Sequence, residues 1–410
     1  MLSSWIKPVS PVSARGAWAL LCCLASTQVS AQYDVEQDQR VWLRALLDVR
    51  LVRAGPAPSW TDRGPGKTRY GGRATAAGFQ RETQLVLSEL AIEAGAYLPW
   101  NVRAQAQVNI QPDISGDNRP WLIEAILRKE WGAAKNGWGV QSGIMNMPFS
   151  LEHTGPAWSP DFTLSASAMN SWLWEDINLA GAEVEWWHVT GRGIKLGALV
   201  GAGFGPDQFG RLLALRGWAL GDGLSGVNST LALPGRTERT DVFDEEDNRP
   251  ALYTWLTVSD EQEIATLNLG YFDNQGDQQE PGVWHTRFST VGVTWHPHPK
   301  VDVLAQYLDG TARVASPSND SGLRSYYGLV SYHYKRQRVT VRYDSFRVHD
   351  LDGGPNTREQ GNAVTAGYQY QPGLRHRLAF EHIWLNSHRP ASLIADPTPD
   401  GWQLSYRFRY

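Results

Sequence analysis

Residues 102–111, VRAQAQVNIQ, alternate apolar and polar without interruption. Successive side chains of an extended chain point to opposite faces, so Val102, Ala104, Ala106, Val108 and Ile110 share one side of a strand. Arg103, Gln105, Gln107, Asn109 and Gln111 share the other. A soluble sandwich buries such an apolar face, whereas a transmembrane barrel turns it to lipid and the polar face to the lumen. The same period recurs along the chain and predicts sixteen strands, over 41–53, 81–97, 100–111, 121–131, 137–147, 180–190, 194–204, 251–259, 263–273, 284–296, 301–311, 324–335, 338–348, 362–371, 375–386 and 401–410.

The connections alternate between short and long. Tight turns are read at 97–100, 190–193, 296–300, 335–337 and 371–373, and longer loops at 54–80, 148–179 and 205–250. A barrel whose two rims face different compartments has this segregation. Trp100, Trp121, Trp131, Trp138, Trp284, Trp295 and Trp402 fall at or near strand ends, where an interfacial aromatic girdle would sit. The pattern predicts an all-β fold, a 16-stranded antiparallel transmembrane β-barrel with short periplasmic turns and long outer loops.

Composition narrows the reading at the N-terminus. Lys7 and Arg15 precede the apolar run Ala17–Ala25, and Val29-Ser30-Ala31 has the form of a cleavage site, so residues 1–31 read as a secretory signal and 32–410 as a single barrel domain. Both cysteines, Cys22 and Cys23, lie in that segment, which excludes a disulfide-stapled secreted domain. Losing its two basic residues takes the formal charge from −4 to −6, a balance that gives no support for nucleic-acid binding. After residue 31 no apolar run reaches the length of a membrane-spanning helix.

The last ten residues, GWQLSYRFRY, place Trp402, Leu404, Tyr406, Phe408 and Tyr410 on one face. A terminal strand ending on aromatics at every second position, here Tyr406, Phe408 and Tyr410, resembles the assembly signal of Gram-negative outer-membrane barrels, which implies the barrel-assembly machinery as a partner. The segments GVQSGIMNMPFSLEHTG (139–155), SAMNSWLWED (167–176), LALRGWALGD (213–222) and VRYDSFRVHDLD (341–352) resemble the phosphate-selective porin O and P-like family of outer-membrane porins. The resemblance implies a passive channel in outer-membrane lipid, a homotrimer, some loops folded inward and no cofactor.

Phosphate selectivity would call for a ladder of cations along the path. Arg44, Arg50, Arg103, Arg128, Arg342, Arg407 and Arg409 share the lumen parity, but Asp48, Glu89, Glu124, Asp302, Asp344 and Glu381 interleave with them. The lumen therefore reads as mixed in charge. The third long loop, 148–179, carries Glu152, Asp161, Glu175 and Asp176 and no Lys or Arg. By the resemblance it is the constriction loop, and folded against the wall arginines it would set up a transverse field suited to small hydrophilic solutes.

Other chemistries find weaker support. Gly66-Lys67-Thr68 lacks the glycine that a nucleotide loop needs at position 61, which is Thr61. The glycines of GALVGAGFG (197–205) read as thin positions in a crowded wall. His296 and His298 lack further metal ligands nearby in sequence. A lipid-hydrolysing barrel would need a nucleophile beside a base; Ser345 and His382 sit two strands apart in chain order. A lectin-like protein would use Trp186 and Trp187. The expectation is a porin and not an enzyme, with an anion-selective porin as the alternative.

Overall fold

The computed structural model describes residues 40–115, 119–176, 178–233, 237, 239–315, 318–352, 358–389 and 400–410; the expected signal segment lies outside them. Sixteen antiparallel strands close into one barrel, each paired with its neighbours in chain order. They are β1 (Val41–Arg53), β2 (Thr83–Leu98), β3 (Val102–Ile110), β4 (Trp121–Ala133), β5 (Asn136–Met145), β6 (Leu179–Val189), β7 (Ile194–Phe204) and β8 (Ala251–Asp260). The second half is β9 (Ala265–Asp273), β10 (Trp284–His298), β11 (Val301–Ala315), β12 (Ser318–Tyr334), β13 (Gln337–Asp350), β14 (Glu359–Gly373), β15 (His376–His388) and β16 (Gly401–Arg409). Each of the sixteen alternating segments is a strand. The largest difference in extent is at β12, which starts at Ser318 where the alternation predicts 324.

Closure is made by β1 and β16, in register from Leu46↔Arg409 to Arg53↔Trp402. The amides of Ala45 and Tyr410 donate to each other's carbonyls, so the last residue completes the ring. Closure leaves no unpaired sheet edge, the condition for crossing a bilayer with strands. No helix of the described residues is long and apolar enough to cross a membrane.

The alternation holds along the strands because bulges absorb its slips. In β2 the sequence reads Leu85, Leu87, then Ser88-Glu89, then Leu90 and Ile92, one residue out of phase. A bulge falls between the pairs Asp48↔Glu89 and Val49↔Leu87, leaving Ser88 as the extra residue, so all four apolar side chains stay outside. Ile123 plays the same part in β4, between Gln107↔Glu124 and Val108↔Leu122.

Outside, Leu85, Ile92, Leu127, Val200, Leu256, Val293, Val330 and Leu404 are exposed in a continuous apolar wall. Tyr271, Tyr307, Tyr326 and Tyr343 lie toward the long-loop rim. Above them come charges, with the Tyr271 and Tyr307 hydroxyls bonded to Asp273 and Asp309 and Arg324 paired to Asp309. At the short-turn rim, Trp100, Trp131, Trp138 and Trp295 face out. Trp121 and Trp284 do not belong to this girdle: both are at strand ends but on inward parity, and both are buried in the lumen. Position along a strand sets depth, and parity sets the face.

Candidate functional site

The lumen has two different walls. Along β1 to β6 and β16 the inward positions carry most of the buried charged and amide side chains of the wall, among them Asp48, Arg50, Glu89, Gln107, Glu124, Gln141, Glu183 and Arg407, with apolar ones such as Trp42, Leu46 and Trp121 between them. Along β8 to β14 the inward positions include Tyr253, Trp255, Phe272, Phe288, Leu308, Leu329 and Phe346, all buried. Alternation predicts a polar inner face throughout, and this wall departs from it because it is not wet.

Three long loops cover it. The loop 148–178 sends Phe149 into a cage of Tyr253, Trp255, Phe272 and Phe288, with ring centroids 5.1 to 6.4 Å away. Its helix, Ala168–Asp176, places Trp172 flat on Phe209 of the loop 205–250, with centroids 4.3 Å apart, and edge-on to Trp218. The first loop adds Trp60 and inserts Lys67, which donates to the Arg216 carbonyl and pairs with Glu359. The Gly66-Lys67-Thr68 stretch is thus a plug turn. The long-loop end of the lumen is therefore filled by a packed apolar core.

Plugging decides what the expected site residues do. Arg50 and Arg407 share Asp48 at 2.8 and 2.7 Å, and Arg50 also pairs with Asp222 of the plug. Arg342 is held by Asp344 and Glu152 at 2.8 and 2.9 Å. All three guanidinium groups are 0% exposed, so they seal plug to wall and do not border open water. Arg128 pairs with Glu130 and Glu185. Among the loop acids, Glu152 also accepts from the Ser167 amide and Asn170, and Glu175 pairs with Arg216, both buried. These two are structural ion-pair partners, not free faces of a constriction. Of Asp176 only the backbone, at the helix end, is described.

The remaining expected residues meet at the short-turn rim. A recess of about 370 Å³ is bordered by Arg44, Glu93, Asp161, Arg409 and Tyr410, with Thr154–Ala157 as its floor. Arg103 lines a narrower gap of about 30 Å³ between wall and loop, beside Glu124, His153 and Trp174. A second recess of about 310 Å³ lies against Arg128, Glu185, Trp187 and Lys195. Sequence reasoning missed Arg377, on inward parity beside Arg407 in the β15–β16 register. It is 1% exposed and none of its three guanidinium nitrogens has a hydrogen-bond partner. Its parity follows from Glu381, four residues on, so the signal was present.

The other sequence candidates are placed apart. Ser345 and His382 both face outward, but β14 lies between their strands and the register sets them four residues apart along the sheet, since Ser345 is level with Asn362 and Asn386, so they are about 16 Å apart. Trp186 packs outside on Trp138, while Trp187 points inward and donates to the Ala133 carbonyl, so they form no shared groove. His296 is bonded to Asp302, and the Lys300 amide donates to His298, tying the turn together. Gly201 is a thin position: a Cβ there would lie 2.1 Å from the Tyr253 ring.

No family model and no curated protein matches the chain. Solved structures do. The chain is similar to an anion-selective porin from Comamonas acidovorans, at 12% identity and TM-score 0.55 over 90% of this chain and 99% of that one. It is similar to Salmonella typhi OmpF in complex with daunomycin, at 11% and 0.54 over 90% and 97%. OmpT of Vibrio cholerae, folded in vitro and in a trimer form, matches at 9% and 0.50 over 91% and 100%. The chain has the closed 16-stranded barrel fold of outer-membrane porins.

Proposed function

We propose that the chain is an outer-membrane porin of restricted bore, a passive channel for small hydrophilic solutes in which no residue acts catalytically. The observation that supports this most directly is the charged recess at the short-turn rim of a closed barrel, where Asp161 of the inward loop lies across from Arg44 and Arg409. Opposed charges across a narrow polar gap pass small hydrated molecules and filter them by size. The packed plug at the other end favours small conductance steps. The short-turn rim is read as periplasmic, and the assembly machinery would recognise the strand ending at Tyr410. A homotrimer fits the outward alanines of β2 to β4, Ala94, Ala104, Ala106 and Ala125, because small residues let walls approach closely.

A second reading, preference for anions, has its own support. Arg377 and Arg409 both keep buried guanidinium nitrogens without partners, and an uncompensated buried cation is stabilised by a visiting anion. Phosphate is one such anion.

The test is single-channel recording of the refolded protein in a planar bilayer under a salt gradient. Small steps, grouped in threes for a trimer, are expected. Asp161→Asn should shift the reversal potential toward anions, and Arg377→Gln with Arg409→Gln toward cations. Absence of conductance from folded protein would overturn the channel reading, and no shift in either variant would remove the transverse field. Block of wild-type current by added phosphate would favour the anion reading.

A further inference from the structure

The loop that joins β7 to β8 leaves the barrel at Gly205 and returns through Asp241–Asp247, a run reading DVFDEED. Both limbs belong to the long-loop rim, far from the charged recess. The fold brings Asp207 of the outgoing limb against Glu245 and Asp247 of the returning one, so that one carboxylate oxygen of each lies within 4.8 Å of those of the other two.

Backbone amides fix these carboxylates. Asp207 Oδ2 accepts from the amides of Glu246 and Asp247, at 2.5 and 3.2 Å. Glu245 Oε2 accepts from the Gly205 amide at 2.9 Å. Asp247 accepts from the amides of Arg249 and, at 2.6 Å, of Asp277 in the next loop. What is left over is informative. Asp207 is 0% exposed and its Oδ1 has no partner; the buried Glu245 Oε1 has none either. Among the described residues no arginine closes the cluster: Arg249 pairs with Asp277, and Arg211 bonds to Gln208. Burial and the carboxylates of Glu245 and Asp247 push the Asp207 carboxyl up to about 6, against the pull of the two amides.

We infer that Asp207, Glu245 and Asp247 form a divalent-cation site that takes calcium and staples the two limbs of this loop together. Oxygens bound to one calcium at about 2.3–2.6 Å can be no more than about 5 Å apart, which these satisfy. The donors are all hard carboxylate oxygens with no His or Cys, which selects calcium over zinc. Backbone amides hold all three carboxylates in place before the ion arrives. Asp207 Oδ1 and Glu245 Oε1 are left without partners, Asp247 offers the remaining lone pairs of its amide-bonded oxygens, and water completes the shell. The staple reaches the plug, since Phe209, two residues beyond Asp207, is the ring on which Trp172 stacks.

The test needs no channel recording, so its failure is separate from that of the porin reading. Terbium is titrated into the refolded full-length protein in detergent, with tryptophan-sensitised emission as readout; the Trp284 amide donates to the Asp207 carbonyl, placing an indole-bearing residue at the site. One saturable ion per chain, displaced by calcium, is expected. Asp207→Asn with Asp247→Asn should weaken binding at least tenfold while the unheated protein still migrates as folded barrel, and Glu245→Gln should weaken it if the double variant does not fold. Asp309→Asn, on the outer wall, should leave it unchanged. No saturable binding by the wild type, or equal binding by folded variants of the cluster, would overturn the site.

Discussion

Arg342 shows how one side chain holds the inner architecture. It reaches from β13 to Glu152 and to the carbonyls of Ser165 and Ala166, while Asp344 beside it accepts from the Ala168 amide at the start of the plug helix. Removing one partner of a buried ion pair leaves the other charge uncompensated, at about 3–5 kcal/mol. Arg342→Ala should therefore lower the unfolding free energy by about that amount, read as a lower urea midpoint at unchanged slope, and Arg342→Lys should recover only part of it because an ammonium lacks the fork. An unchanged midpoint would show the pair to be dispensable. Parity alone put Arg342 and Asp344 on the inner face. Glu152, 190 residues away in sequence, became their partner only through folding, which is why it read as a constriction acid. Among the described side chains of that loop, Asp161 is the acid that borders the recess. The cation cluster was half legible: the acids of 241–247 stand together in the sequence, but Asp207, the buried member, is supplied by another limb.

At the scale of the element, the strand period was legible because the lipid face admits few exceptions. A one-residue slip would turn a whole strand inside out, so the out-of-phase Ser88 must appear as a bulge. Deleting Ser88 should restore strict alternation, with Glu89 in and Leu90 out, and keep a heat-modifiable folded form on detergent gels. It would loosen the first plug loop, which bonds to Ser88 through Arg69 and Tyr70. Inserting one alanine after Leu90 should abolish the folded band, and a folded insertion product would contradict the role given to the bulge. The β7 glycines were also legible as thin positions, though the reason, the Tyr253 ring against Gly201, lies on the neighbouring strand. Trp121 and Trp284 were misplaced because depth was read and parity was not.

For the whole molecule, the decisive feature is that the barrel holds a second, apolar core. Phe149 is its centre, and Phe149→Ala would forfeit about 3–5 kcal/mol of local packing. The barrel wall, held by strand pairing, should survive, while the plug loosens and single-channel conductance and its noise increase. Conductance equal to the wild type's would show that the plug does not limit flow. The sequence by itself determined the wall, since period two, bulge phasing and a closing aromatic strand are local consequences of a chain that must satisfy every backbone group while facing lipid. The inner apolar positions at Tyr253, Trp255, Phe272 and Phe288 were also present in it, as strands apolar on both faces. Which loops would cover those positions, which arginines they would neutralise, and which carboxylates would meet at the rim were decided by tertiary structure alone. Such contacts join residues far apart along the chain, where pairing depends on complementary shape and charge in three dimensions and leaves no period to read.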